Sequence, residues 1–154
     1  MTSLSAEARD RLERLRAMAE RLKGKPCEWG VDDCSTMPAQ WVAETTGKEF
    51  DWPAYSTKEE AIELTEAWGG LVNIWDHVAR QIGLKAVFGE PEPGDVGVIQ
   101  SDQGPVGGIW LPNHVIMRRA EMGVRVHWVR PYTVRSVDGE PTKIPLILKT
   151  WRVV

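Results

Sequence analysis

Cys34 is the residue in this chain best placed by type and context to do covalent chemistry. It follows Trp29-Gly30-Val31-Asp32-Asp33 and precedes a helix-like segment that ends at Gly47. A cysteine at a helix start meets free N–H groups and the positive end of the helix dipole, both of which favour the thiolate. A thiolate attacks carbonyl carbon, so the chemistry to look for is that of a cysteine hydrolase. Such an enzyme needs an imidazole within hydrogen-bond reach of the sulfur and a third group to fix the imidazole. His114 opens a strand-like run, and His127 lies on the next one across Met122-Gly123. Two adjacent antiparallel strands can bring such residues together on one face.

The other polar residues read more plainly. Cys27 precedes the turn and is the weaker nucleophile. A disulfide across the short Cys27–Cys34 loop is possible, but two cysteines make no secreted disulfide framework, and both are expected as thiols. Seven residues separate them in number, unlike a Cys-x-x-Cys knuckle, so no metal site is expected. Asp33 suits a turn, where its carboxylate bonds backbone N–H groups. His77, after Asp76 in a helical stretch, reads as a surface or half-buried residue. Gly94-Asp95 enters a strand and does not resemble a phosphate loop.

The elements that must position these groups follow from periodicity. Residues 5–23 carry Ala8, Leu12, Leu15 and Leu22 at helical spacing, with Ser5 as cap and Gly24-Lys25-Pro26 as stop. A second helix is expected over 35–46, with Met37, Trp41 and Val42 inward. Thr57-Lys58-Glu59-Glu60 is a capping-box pattern opening a third helix to about Trp68. A fourth runs from Leu71 to Ile82 and stops at Gly83. Short β-rich runs follow at 95–100, 107–111, 114–119 and 124–129, then a hairpin turn at Asp138-Gly139 and a last strand over 146–154. Helices followed by a meandering antiparallel sheet make an α+β protein.

Composition bounds the partners. At 154 residues the chain is read as a single domain, 1–154, with an amphipathic helix over 1–24 and the core over 25–154. A net charge of −3 argues against nucleic acid as the partner, although the first 25 residues hold seven Lys or Arg against four Asp or Glu. No apolar run nears the roughly 18 residues that span a bilayer, and no signal-peptide core opens the chain. Neither membrane nor secretion signal is expected. Trp29, Trp41, Trp75 and Trp110 fall in segments that read as core.

In order and spacing, Trp29-Gly30, Asp33-Cys34-Ser35, Gly94-Asp95-Val96, His114-Val115 and His127 resemble the NlpC-type peptidoglycan peptidases, a circularly permuted branch of the papain-like fold. The closing Thr150-Trp151-Arg152-Val153 is similar to that of small phage and prophage proteins related to the family, and extends the likeness to nearly the whole chain. The resemblance implies a papain-like α+β fold and hydrolysis of an amide bond in the peptidoglycan peptide stem, with no metal or organic cofactor. Cys34 would attack, His114 would shuttle the proton, and His127 would orient His114. Trp29, Asp33 and Ser35 would flank the substrate, and N–H groups at the helix start, including that of Cys34, would hold the oxyanion. The implied setting is the virion, with neighbouring phage tail proteins as partners and synthesis in the host cytoplasm.

The likeness has departures. Cys27 stands where the family usually has tyrosine, and Thr36 replaces a glycine. In a second register, Gly107-Gly108-Ile109-Trp110 takes the place of the histidine strand, and the histidine position falls on Val106 or its neighbour. The His114 register is preferred because His127 then matches the family's second histidine. The second register implies a non-catalytic tail protein that keeps the fold.

Overall fold

The computed structural model describes residues 4–153. Four helices precede eight strands: α1 (Ala6–Leu22), α2 (Thr36–Thr46), α3 (Lys58–Ala67), α4 (Leu71–Ile82), β1 (Lys85–Ala86), β2 (Val96–Ser101), β3 (Gly104–Trp110), β4 (Val115–Arg119), β5 (Val124–Trp128), β6 (Tyr132–Val137), β7 (Glu140–Pro145) and β8 (Ile147–Arg152). The architecture is α+β. Six strands form an antiparallel sheet in the order β1-β8-β2-β3-β4-β5, and β6-β7 form a separate two-stranded hairpin.

The helices begin and end where local chemistry dictates. Ser5 accepts the Ala8 N–H at 3.1 Å, and Thr57 accepts that of Glu60 at 3.1 Å. Glu60 in turn accepts the Ser56 N–H at 3.1 Å, one residue earlier than a strict capping box requires. Gly47 closes α2 in the left-handed conformation (φ 67°), its N–H bonded to the Ala43 carbonyl at 2.9 Å. The Asp138-Gly139 turn joins β6 to β7 with φ of 53° and 81°, both positive as a two-residue hairpin turn requires. The last expected strand ends at Arg152, and its Val154 lies outside the described residues, as do residues 1–3.

One face of the sheet carries the main core. Leu15, Met18 and Leu22 of α1 join Met37, Trp41 and Val42 of α2, the apolar stripe of α4, and Val96, Val98, Ile109, Met117 and Trp151 of the sheet. Trp41, Trp75 and Trp110 are buried as expected, whereas Trp29 is only half-buried. The opposite face holds a smaller cluster of Ile99, Trp110, Ile116 and Val129. Alternation along β3 therefore puts Gly107 and Ile109 on the helix side, and Gly108 and Trp110 on the far side. This parity decides where the candidate site residues can meet.

Candidate functional site

The Trp29–Ser35 turn is organised around the Asp33 carboxylate, which is fully buried. It accepts the N–H groups of Gly30 (2.8 Å), Ser35 (2.8 Å) and Thr36 (3.0 Å). The Asp33 N–H donates back to Thr36 Oγ1 at 2.8 Å, so the start of α2 is capped reciprocally. Tyr55 closes over this turn. Burial pushes its hydroxyl pKa far up, and its hydrogen bond to Asp33 adds to the effect. Gly30 has φ 85°, and a Cβ there would overlap the Tyr55 carbonyl oxygen.

Beneath the turn lies a fixed positive charge. The Arg119 side chain, on β4, is wholly buried. It donates to the carbonyls of Asp32 (2.9 Å), Lys25 (3.0 Å), Pro26 (3.1 Å) and Gly123. Its contact with the Asp32 carboxylate is 3.4 Å, and Lys25 bonds the same carboxylate. Burial raises the Asp32 carboxyl, but the hydrogen bond from Lys25, the Glu28 N–H and the Arg119 charge outweigh it and hold the group below the usual range. Nothing in the periodicity of Val115–Arg119 marked Arg119 as the clamp. Its only sequence signal is an arginine in a strand position that alternation turns inward.

Cys34 sits one residue before the Ser35 cap, with its carbonyl oxygen packed on Gly107 of β3. A Cβ at Gly107 would lie 2.7 Å from that oxygen, so the approach requires glycine. Burial pushes the Cys34 thiol pKa up, and Asp33 adds to this; hydrogen bonds from Ser35 and the Gly107 N–H pull the other way without prevailing. The outcome is opposite to the thiolate that a helix start alone would favour. Burial raises Cys27 as well, with further contributions from Asp33, Asp32 and Cys34 against Arg119. Both cysteines are free thiols.

The expected catalytic histidines do not join Cys34. His114 lies in the turn before β4 with φ 59°, beyond the Leu111–Val115 bond that closes the end of β3. Gly107 to Trp110 alone is about 10 Å of strand, and His114 is farther still. Its Nδ1 faces Glu90 Oε1 at 3.7 Å. His127 pairs with Ile116 on β5 and therefore shares the far face with Trp110, across the sheet from Cys34. Its Nε2 is buried with no hydrogen-bond partner among the described residues. His77 stacks against Trp68 at 4.9 Å, away from the turn.

The strand that runs beside Cys34 is β3. The residue on Cys34's side of β3 next to Gly107 is Pro105, with Val106 between them on the other side. Of the expected substrate residues, Asp33 is committed to the turn, where it accepts the Ser35 and Thr36 N–H groups and leaves that of Cys34 out of its bonds. Trp29 and Ser35 remain half-exposed. An open groove of about 950 Å³ runs between α2 (Thr36, Ala39, Ala43) and the Lys48–Ala54 loop, but neither Cys34 nor a histidine lines it. Among the described residues, no group of three or more His, Cys, Asp or Glu could hold a metal ion, and no helix is long and apolar enough to cross a membrane.

Two other motifs hold the sheet together. The Asp95 carboxylate accepts the Glu92 N–H (2.9 Å), Arg152 Nε (3.1 Å) and the Val153 N–H (3.2 Å), tying Gly94-Asp95-Val96 to the Trp151-Arg152-Val153 close. Trp41 Nε1 donates to the Gly94 carbonyl at 2.8 Å, which fixes α2 to the same point.

Residues 7–134 match the family described as a domain of unknown function, DUF6950. The chain belongs to that family. The match begins in α1 and ends within β6, so it takes in the Asp33 turn, both cysteines and all three histidines. Strand β8, between β1 and β2 in the sheet and carrying Trp151, lies beyond it. No curated protein matches the chain.

Proposed function

We propose that this chain is an NlpC-type, papain-like module that works without hydrolysis, as an assembly component of a phage tail. The observation that carries this reading is the segment of β3 against Cys34, which presents Pro105 and Gly107 where a cysteine hydrolase needs an imidazole. The raised Cys34 thiol agrees with it, because burial and the Asp33 carboxylate both disfavour the thiolate that attack requires. The Asp33 turn, the Gly94-Asp95 corner and the Trp-Arg-Val close support the papain-like assignment, since each motif anchors one element to another. The phage-tail setting rests on the likeness of that close to small phage proteins.

A second reading, a tail-associated cysteine hydrolase cutting amide bonds of the peptidoglycan peptide stem, is favoured by the position of Cys34 just before the capped start of α2. It requires the turn holding His114 to be rebuilt against Cys34. The test is incubation of the full chain with purified sacculi of its host, followed by quantitation of released peptides. The assembly reading expects no release above that of the Cys34→Ala protein. Release that Cys34→Ala and His114→Ala both abolish would overturn it in favour of the hydrolase.

A further inference from the structure

The six-stranded sheet ends in two very different edges. At one end β1 is only two residues long, a length that blunts pairing with other chains. At the other, β5 is a five-residue edge strand, Val124–Trp128, with no sheet neighbour on its outer side among the described residues. Its pairing with β4 runs through all five residues in register, without a bulge, and it contains no proline. The Lys25–Cys27 segment covers the approach to this edge, through a Pro26–Met122 bridge and bonds to Glu121 and Gly123, but it stops short of Val124–Trp128, whose one exposed charge is Arg125.

The edge also offers side chains to a partner. Val126 and Trp128 are cross-strand from Met117 and Val115, so they share one face, and they are 55% and 61% exposed. Met122, just before the strand, is 58% exposed. The Arg130 guanidinium lies 5.6 Å from the centre of the Trp128 ring. From Met122 to Val137 the sequence carries Arg125, Arg130 and Arg135 and no acidic residue at all. A second copy of this edge laid antiparallel and centred on Val126 would set Arg125 against His127 and bring a second Arg125 and Arg130 to the same edge, adding positive charge to positive charge, which opposes self-pairing. An acidic strand meets the same edge with complementary charge.

We propose that β5 is a docking edge for an extended acidic segment of a different protein. That segment would add as a seventh strand, with alternate apolar side chains on Val126 and Trp128 and the carboxylates between them on the opposite face beside Arg125, while Arg130 adds positive charge at the end of the edge. Main-chain hydrogen bonds supply the affinity in this mode, and the side chains supply the choice of partner. The proposal goes beyond the non-hydrolytic reading and holds whether or not Cys34 cuts.

The probe is a fluorescein-labelled peptide of alternating glutamate and valine, titrated with the full chain and read by fluorescence anisotropy. A lysine–valine peptide and a glutamate–valine peptide interrupted by a central proline serve as comparisons. The expected result is saturable binding of the acidic peptide, at least about tenfold weaker for each comparison and for the Arg125→Glu/Arg130→Glu protein, and weakened further by salt. Hydrogen exchange in the complex is expected to slow at Val124–Trp128. Equal binding of the proline-interrupted peptide would reduce the edge to a charged surface and overturn the proposal. So would protection confined to the β6-β7 hairpin or the α2 groove. Failure of the acidic peptide to bind would sink it equally, as would a β5-mediated dimer of the chain in sedimentation analysis.

Discussion

Replacing Asp33 should damage the fold far more than any chemistry. The carboxylate is the sole acceptor for three backbone N–H groups, those of Gly30, Ser35 and Thr36, and it also takes the Tyr55 hydroxyl. A buried donor left without a partner costs about 1–3 kcal/mol, and that full cost applies to the Thr36 N–H. Gly30 and Ser35 are half-buried and water can reach them, so about 0.5–1.5 kcal/mol each is appropriate, in the range of a lost helix cap. Asp33→Ala should therefore lose about 2–6 kcal/mol of the ~5–15 kcal/mol typical of a domain. Asp33→Asn keeps a carbonyl oxygen for Ser35 and Thr36 and sets an amide against the Gly30 N–H, for a loss of about 1–2 kcal/mol. Urea unfolding followed by tryptophan fluorescence measures both. If Asp33→Ala does not fold at all, the asparagine variant still supplies a number. A loss below about 1 kcal/mol for alanine, or equal losses for the two variants, would refute the capping argument.

Three more outcomes follow from the same neighbourhood. The raised Cys34 thiol should react with iodoacetamide at pH 7 at least about tenfold more slowly in the native chain than in urea, with its rate still rising at pH values where the unfolded thiol has levelled off; mass spectrometry of the labelled peptide against pH checks this, and a rate already maximal at pH 7 would contradict it. Because that folded-state pKa lies above the unfolded one, its contribution to stability is complete below about pH 8.5 and is lost as pH rises through the folded value. Gly30→Ala combines a left-handed backbone with overlap on the Tyr55 carbonyl and should cost more than about 3 kcal/mol, whereas Gly47→Ala, equally left-handed but facing open space, should cost about 1–2 kcal/mol; similar thermal unfolding shifts for the two would deny the close approach. Arg119→Met should cost about 3–5 kcal/mol and Arg119→Lys somewhat less, because neither side chain can serve four carbonyls in one plane; unfolding midpoints unchanged from the parent would show the clamp to be ornamental.

Helix positions were legible in the chain because their signals are local. Ser5, Thr57, Gly47 and Gly83 act within three or four residues of themselves, and each helix forms within a residue or so of its expected bounds. Sheet order and strand pairing were not legible to the same degree. The strands β6 and β7 were marked only by their turn, since their alternation leaves both faces exposed and no apolar side stands out. The two-residue β1 is too short to have a period at all. Arg119 was missed because its partners are main-chain carbonyls far apart in sequence, which leave no trace in residue types.

The site illustrates why motifs in the right order need not bring their side chains together. Moving from one strand residue to the next carries a side chain across the sheet, so a histidine can match in type and order yet lie on the wrong face. His127 is such a case, fixed on the Trp110 side by its pairing with Ile116. The constraints around Cys34 work at shorter range and do not need an imidazole. Gly107 must lack a side chain because the Cys34 carbonyl rests on it, Asp33 must be present because α2 starts on its carboxylate, and Gly94 must accept the Trp41 indole. Each requirement arises from packing α2 against the sheet. A chain that had no use for the thiolate would be held to them as firmly as a chain that cut with it, and the single position that separates the two cases is the one beside Gly107 on β3.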